Sequence, residues 1–257
     1  MQAIQTQNLR RKARTMTDPP LAAVRRWLSA GWSDFRAHQS ISLTYGFGLA
    51  ASGWAALLAL IVMDLSWMIL PAAAGAMLLG PLFTVGLYRI SRRRQGFGGG
   101  GIAAPGQITL VSVVMMTLIL MWIRAATLLF AVFFGLRPFA GFLETLQTLF
   151  TTTEGVALVL VGSITGGLFA AFGFAISVFS FPMLVNREID GFSAMGLSFN
   201  ATTQNFSLLV IWAAVVTALV GLCVLTGLIA AIPLFPVLGY ATWHAYDDLF
   251  QDNDNGA

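Results

Sequence analysis

Arg124 stands alone among apolar residues in the run LMWIRAATLLF, residues 120–130. A guanidinium can clamp a carboxylate or a phosphate through two parallel hydrogen bonds. An arginine in such a run therefore points to a structural ion pair or to an anion site. Glu154 is the first candidate partner and Glu144 the second. No other charge lies deep in an apolar run, so a proton or cation relay has little to work with. His38 and His244 are the only histidines. A haem–copper site needs several inward-facing histidines, and these two lie near the ends of apolar runs. They read as surface residues, and no cofactor is expected.

Other candidates are weaker. Cys223 is the single cysteine, which excludes an intramolecular disulfide and a cysteine metal cluster. The run GFGGGGIAAPG (96–106) resembles a phosphate loop in composition, but no Lys-Ser/Thr follows it, so it reads as a flexible linker. In VGSITGGLFAAFGFA (161–175), Gly162, Gly166, Ala170 and Gly173 share one helical face. Such a small-residue seam lets helices approach closely, within a chain or between chains.

The elements that would position these residues follow from composition. Hydrophobic residues make up 57% of the 257-residue chain and charged residues 10%, whereas soluble domains carry about 25% charge. The fold class expected is all-α, a polytopic membrane protein. A bilayer core of about 30 Å needs roughly 20 apolar residues per helix. Six spans satisfy that, about 41–63, 66–88, 108–134, 156–184, 207–224 and 227–246, arranged as three hairpins. The last two come from one tract of about forty residues, broken near Thr226-Gly227 because one helix at 1.5 Å per residue would be too long. Five spans result if that tract is not divided.

Charge supports an orientation. Twelve of the 14 Lys/Arg fall on one side of the six-span arrangement: Arg10, Arg11, Lys12, Arg14, Arg25, Arg26 and Arg36 before span one, Arg89 and Arg92 to Arg94 after span two, and Arg187 after span four. Arg137 alone lies in an opposite loop. The positive-inside rule places both termini in the cytoplasm. Residues 1–40 form a basic N-terminal segment without the short apolar core of a signal peptide. Residues 247–257 form an acidic tail.

Two segments carry amphipathic stripes. Leu21, Val24, Leu28, Trp32 and Phe35 recur at helical spacing, with Arg25, Arg26 and Arg36 off the stripe. Phe139, Phe142, Leu143, Leu146 and Phe150 form a second stripe, opposite Glu144 and Gln147. Each is expected to lie at a membrane interface. The segments PLFTVGLY (81–88) and PLFPVLGY (233–240) share five of eight positions, as hairpins of common origin would.

With GWSDFRAHQSISLTYG (31–46), GPLFTVGLYRISRR (80–93), TTEGVALVLVGSITG (152–166), FPMLVNREID (181–190) and FPVLGYATWHAYDDLF (235–250), the chain resembles a prokaryotic family of predicted integral membrane proteins of unknown function. Some members of that family are labelled putative cytochrome c oxidase subunits. The resemblance implies a bacterial inner-membrane location and supplies no catalytic residue. The two histidines conflict with a haem–copper catalytic subunit and leave an accessory subunit of a respiratory complex open. The sequence thus supports first a non-enzymatic membrane component that packs with lipids, a second copy or membrane-protein partners, and no nucleic acid. A small transporter or channel with Arg124 near an anion path is the alternative. An enzyme ranks last, because no span carries a nucleophile–base pair.

Overall fold

A computed structural model describes residues 13–94, 101–135 and 142–250. Among these residues all regular structure is helical: α1 (Pro20–Ala37), α2 (Gln39–Val62), α3 (Ile69–Phe83), α4 (Val85–Arg94), α5 (Pro105–Phe134), α6 (Phe142–Thr151), α7 (Thr153–Ser177), α8 (Ser180–Asn186), α9 (Gly191–Gln204), α10 (Phe206–Leu225) and α11 (Ala231–Phe250). A single 3-10 turn at Ser66–Met68 precedes α3. Arg10, Arg11, Lys12, Arg137, Phe139, the glycines at 98–100 and the tail after Phe250 lie outside the described residues.

Among the described residues, four stretches are long and apolar enough to cross a membrane: Gln39–Val62, Pro105–Phe134, Thr153–Asn186 and Phe206–Leu225. The chain is therefore a polytopic helical membrane protein. These stretches coincide with expected spans one, three, four and five. Span two is interrupted. Pro81 sits in the last turn of α3, where it lacks the N–H that the helical ladder needs. The Thr84 hydroxyl then donates to the Pro81 carbonyl at 2.8 Å, and a new helix begins on the Thr84 carbonyl.

Span six differs for another reason. The helix α10 ends at Leu225, and the chain turns through Gly227 and Leu228, both at positive φ (61° and 69°). Glycine takes that conformation without strain; leucine does not. The helix α11 that follows carries His244, Asp247 and Asp248, and 12 of its 20 residues are buried. Its surroundings are protein, where the sequence pattern suggested lipid.

The chain divides into two compact units, Met1–Ala50 with Pro81–Ser112 and Ala175–Ala257, and Ala51–Gly80 with Val113–Phe174. In the first, α11 packs chiefly on α1 and also on α4, α8 and α10. Pro20 opens α1 at a position where its missing N–H costs nothing. The face of α1 turned to protein is Ala23, Val24, Trp27, Gly31, Asp34 and Phe35, while Leu21 and Trp32 are exposed. The expected apolar stripe is thus rotated toward Trp27, whose indole N–H reaches Asp248 of α11, and Gly31, which lets the α11 backbone approach. Gly31 is required there. A Cβ at this position would lie 2.7 Å from the Val237 carbonyl oxygen and 2.8 Å from the Ala241 nitrogen. Trp27 meets Trp212 edge to face at 5.8 Å, and both rings are fully buried.

The two echoing segments lie against one another in this unit. Leu87 of the first joins Val237 and Tyr240 of the second, with Phe35, in one cluster. Gly239 admits Leu87 and Thr84, since a Cβ on it would come within 2.8 Å of Leu87 Cδ1. The same pattern nevertheless gives a helix break at Thr84 and a continuous helix through Pro236.

The second unit is organised round Trp122 of α5. Its ring lies 5.9 Å from Phe169 of α7, and its Nε1 donates to the Pro71 carbonyl at 2.9 Å. Gly166 and Gly75 leave room for the indole, with Cβ positions that would fall 2.9 Å and 3.4 Å from it.

Candidate functional site

Several polar side chains of the first unit meet on the seam where α1 and the start of α2 face α11. Tyr240, His244 and Asp248 recur every four residues, so they line one face of α11. Each finds a partner across the seam. Asp248 Oδ2 accepts from Trp27 Nε1 at 2.8 Å and from Arg26 at 3.1 Å. His244 Nε2 lies 3.0 Å from Asp34 Oδ2. Tyr240 shares a hydrogen bond of 2.9 Å with the Ser42 hydroxyl.

Asp34 is the centre of this arrangement. It is buried on the protein-facing side of α1, and the fully buried Ser91 of α4 donates its hydroxyl to the same Oδ2 at 2.5 Å. A buried carboxylate is costly unless it is hydrogen-bonded, and here one oxygen ties three helices. The chemistry is not that of a catalytic triad. Imidazole and hydroxyl both address Asp34, so His244 is not placed to take the Ser91 proton as a general base must.

Further bonds extend the seam. Arg92 Nε donates to Asn186 Oδ1 at 3.0 Å, and Asn186 Nδ2 to the Tyr246 hydroxyl at 3.3 Å. Arg187 donates to the Phe250 carbonyl at 2.8 Å. Hydrogen bonds to Asp18 and then to Asp248 raise the Arg26 guanidinium above its ordinary value, keeping it charged. Asp190 caps α9 by accepting from the Ser193 N–H at 2.8 Å. A hydrogen bond from the Ser193 side chain, and after it the one from the Ser193 N–H, hold its carboxyl below the ordinary range.

The residues singled out in the sequence fare differently. Arg124 and Glu154 are both exposed, and neither has a hydrogen-bond or ion-pair partner among the described residues. Two geometric facts keep them apart. Arg124 is two residues from Trp122, about 200° round the helix from the side chain that faces α7. The contact of Trp122 with Gly166 also sets the antiparallel register. It places Glu154, twelve residues before Gly166, about 15 Å further along the axis than Arg124. Glu144 lies on the exposed side of α6, where Thr145 and Leu149 are buried. Of the small-residue face, Gly166 meets Trp122 and Gly173 is buried, but Gly162 borders open space and Ala170 is exposed. His244 is not the surface residue expected, since Asp34 holds it. His38 is partly buried, and its Nδ1 has no hydrogen-bond partner.

Asp34 and Ser91 escape a sequence reading because their bond joins positions 57 apart. The available signal was Asp34 itself, an acid seven residues from Trp27 and so on the same face of α1.

The comparison with known families agrees with this architecture. Residues 69–186 match the family described as predicted integral membrane protein (DUF2189). The match runs from the start of α3 to the end of α8 and so includes Ser91, Arg124 and the Trp122 packing, while α1 and α11 lie beyond it. No curated protein and no solved structure matches the chain.

Proposed function

We propose that the protein is a non-enzymatic component of the bacterial inner membrane that packs with lipids or with membrane-protein partners. The observation that carries this reading is the exposure of three of the four candidate spans. Only 11%, 17% and 22% of the apolar windows in α2, α5 and α10 are buried. Leu58, Leu128 and Ile164 are each more than 60% exposed. Apolar surface on this scale needs a hydrocarbon or protein solvent. The polar groups of the α1–α11 seam, by contrast, are turned to one another, as suits a tie between helices.

In this reading both termini are cytoplasmic, and α1 lies at the cytoplasmic side with Arg25 and Arg36 toward anionic headgroups. Two measurements test it. Purification in mild detergent with mass spectrometry should find co-purifying lipids or membrane proteins; a protein extracted by carbonate without detergent would overturn the reading. The reading takes α3 and α11 to return the chain across the membrane after α2 and α10, so reporter fusions after Arg94 and after Asp248 should both report cytoplasm. A periplasmic signal from the first would remove the α3 crossing, and one from the second the α11 crossing.

A further inference from the structure

Arg124 is exposed, and three of its four neighbours three and four residues away on α5 are bulky and apolar: Leu120, Met121 and Leu128 are 58%, 56% and 66% exposed. The fourth, Thr127, donates its hydroxyl to the Ile123 carbonyl at 2.8 Å. Arg124 has no hydrogen-bond or ion-pair partner among the described residues. Large flexible neighbours suit lipid chains better than the close approach of another helix, which favours small residues.

Depth adds to this. With 30 residues, α5 is about 45 Å long, well beyond a hydrocarbon core of about 30 Å. Arg124 lies five residues past its midpoint, about 7 Å along the axis. A centred α5 then leaves the Arg124 backbone about 8 Å below the nearer edge of the hydrocarbon. From there a long cationic side chain turns outward, its stem in the acyl region and its guanidinium at the headgroups. The group at that level with matching charge and geometry is a phosphate, which takes two parallel N–H bonds from a guanidinium.

We propose that Arg124 is a phospholipid site, its guanidinium holding the phosphate of a lipid in the leaflet on the C-terminal side of α5. The site rests on the membrane-component reading and names one lipid contact within it. It also accounts for a charge that has no partner among the described residues.

The test compares phosphatidylglycerol with a diacylglycerol of the same chains, each added to the full chain in nanodiscs and followed by release and native mass spectrometry. The wild type should retain phosphatidylglycerol and not the diacylglycerol. Arg124→Leu should reduce that retention about tenfold, as expected when a charge-assisted hydrogen bond is lost. Arg124→Lys should keep part of it. Equal retention of the two lipids by the wild type would overturn the proposal without any variant, even if Arg124→Leu fails to insert. So would unchanged retention by Arg124→Leu, or a protein chain captured at Arg124 in place of lipid. A wild type that fails to enter nanodiscs would instead overturn the membrane-component reading.

Discussion

His244 Nε2 stands 3.0 Å from Asp34 Oδ2, across 210 positions of chain, and so fastens the last helix to the first. The same carboxylate oxygen receives the Ser91 hydroxyl, which brings α4 into the tie. Charged hydrogen bonds of this kind contribute about 1.5–3 kcal/mol each. Their shared acceptor means that they should not contribute independently.

Ser91→Ala in the wild type should therefore cost about 1.5–3 kcal/mol. In an Asp34→Ala background the same change should cost less than about 0.5 kcal/mol, because its partner has gone. Thermal unfolding of the four proteins of the cycle in one detergent measures both steps. Additive losses would show that Ser91 acts elsewhere.

A second prediction concerns pH. The lowered folded-state value of Asp190 comes from its hydrogen bonds to Ser193. Its stabilisation is therefore complete above the ordinary carboxyl value and drains away as pH falls through the lowered one. Asp190→Asn keeps an oxygen for the cap but does not titrate, so its stability should fall less than that of the wild type between about pH 6 and pH 3. Asp190→Ala should lose about 1 kcal/mol at neutral pH. Parallel acid limbs for the wild type and Asp190→Asn would remove this role.

A third prediction contrasts two glycines. Alanine at Gly31 would strike backbone atoms of α11, which cannot swing aside, whereas a Cβ at Gly48 meets nothing within 4 Å. Gly31→Ala should destabilise by about 1–3 kcal/mol despite alanine's better helix propensity. Gly48→Ala should be neutral or stabilise by up to about 1 kcal/mol. Unfolding midpoints of the two variants decide the matter, and equal effects would contradict the close approach of α1 to α11.

Sequence reading reached the helical membrane class because long apolar runs such as those in α2, α5 and α10 carry their own signal. It did not reach α9, whose GFSAMGLSFNATTQ mixes small and polar residues without a clear stripe. It treated α11 as a lipid span because Pro233 to Tyr240 repeats the composition of a span end; burial by α1 is a tertiary fact with no local trace. The division of span two at Thr84 depends on a hydroxyl bonding back to the Pro81 carbonyl, which the echo at Pro236 does not reproduce. The seam escaped for the same reason as α11: its partners come from opposite ends of the chain.

The last prediction concerns Arg124 and Glu154, which the sequence pairs and the helix register separates. A structural ion pair would make the two substitutions strongly coupled. With Arg124 turned about 200° from the α7 contact and Glu154 about 15 Å further along the axis, no such coupling is available within the chain. Arg124→Leu and Glu154→Gln should thus have additive effects on unfolding in detergent, within about 0.5 kcal/mol. Arg124→Leu by itself should be neutral or slightly stabilising there, since it removes an exposed charge from an apolar face and breaks no bond within the described protein. A double-mutant cycle gives the coupling directly. A coupling above about 1 kcal/mol would mean that the two side chains meet, and with it the register set by Trp122 on Gly166 would have to be abandoned.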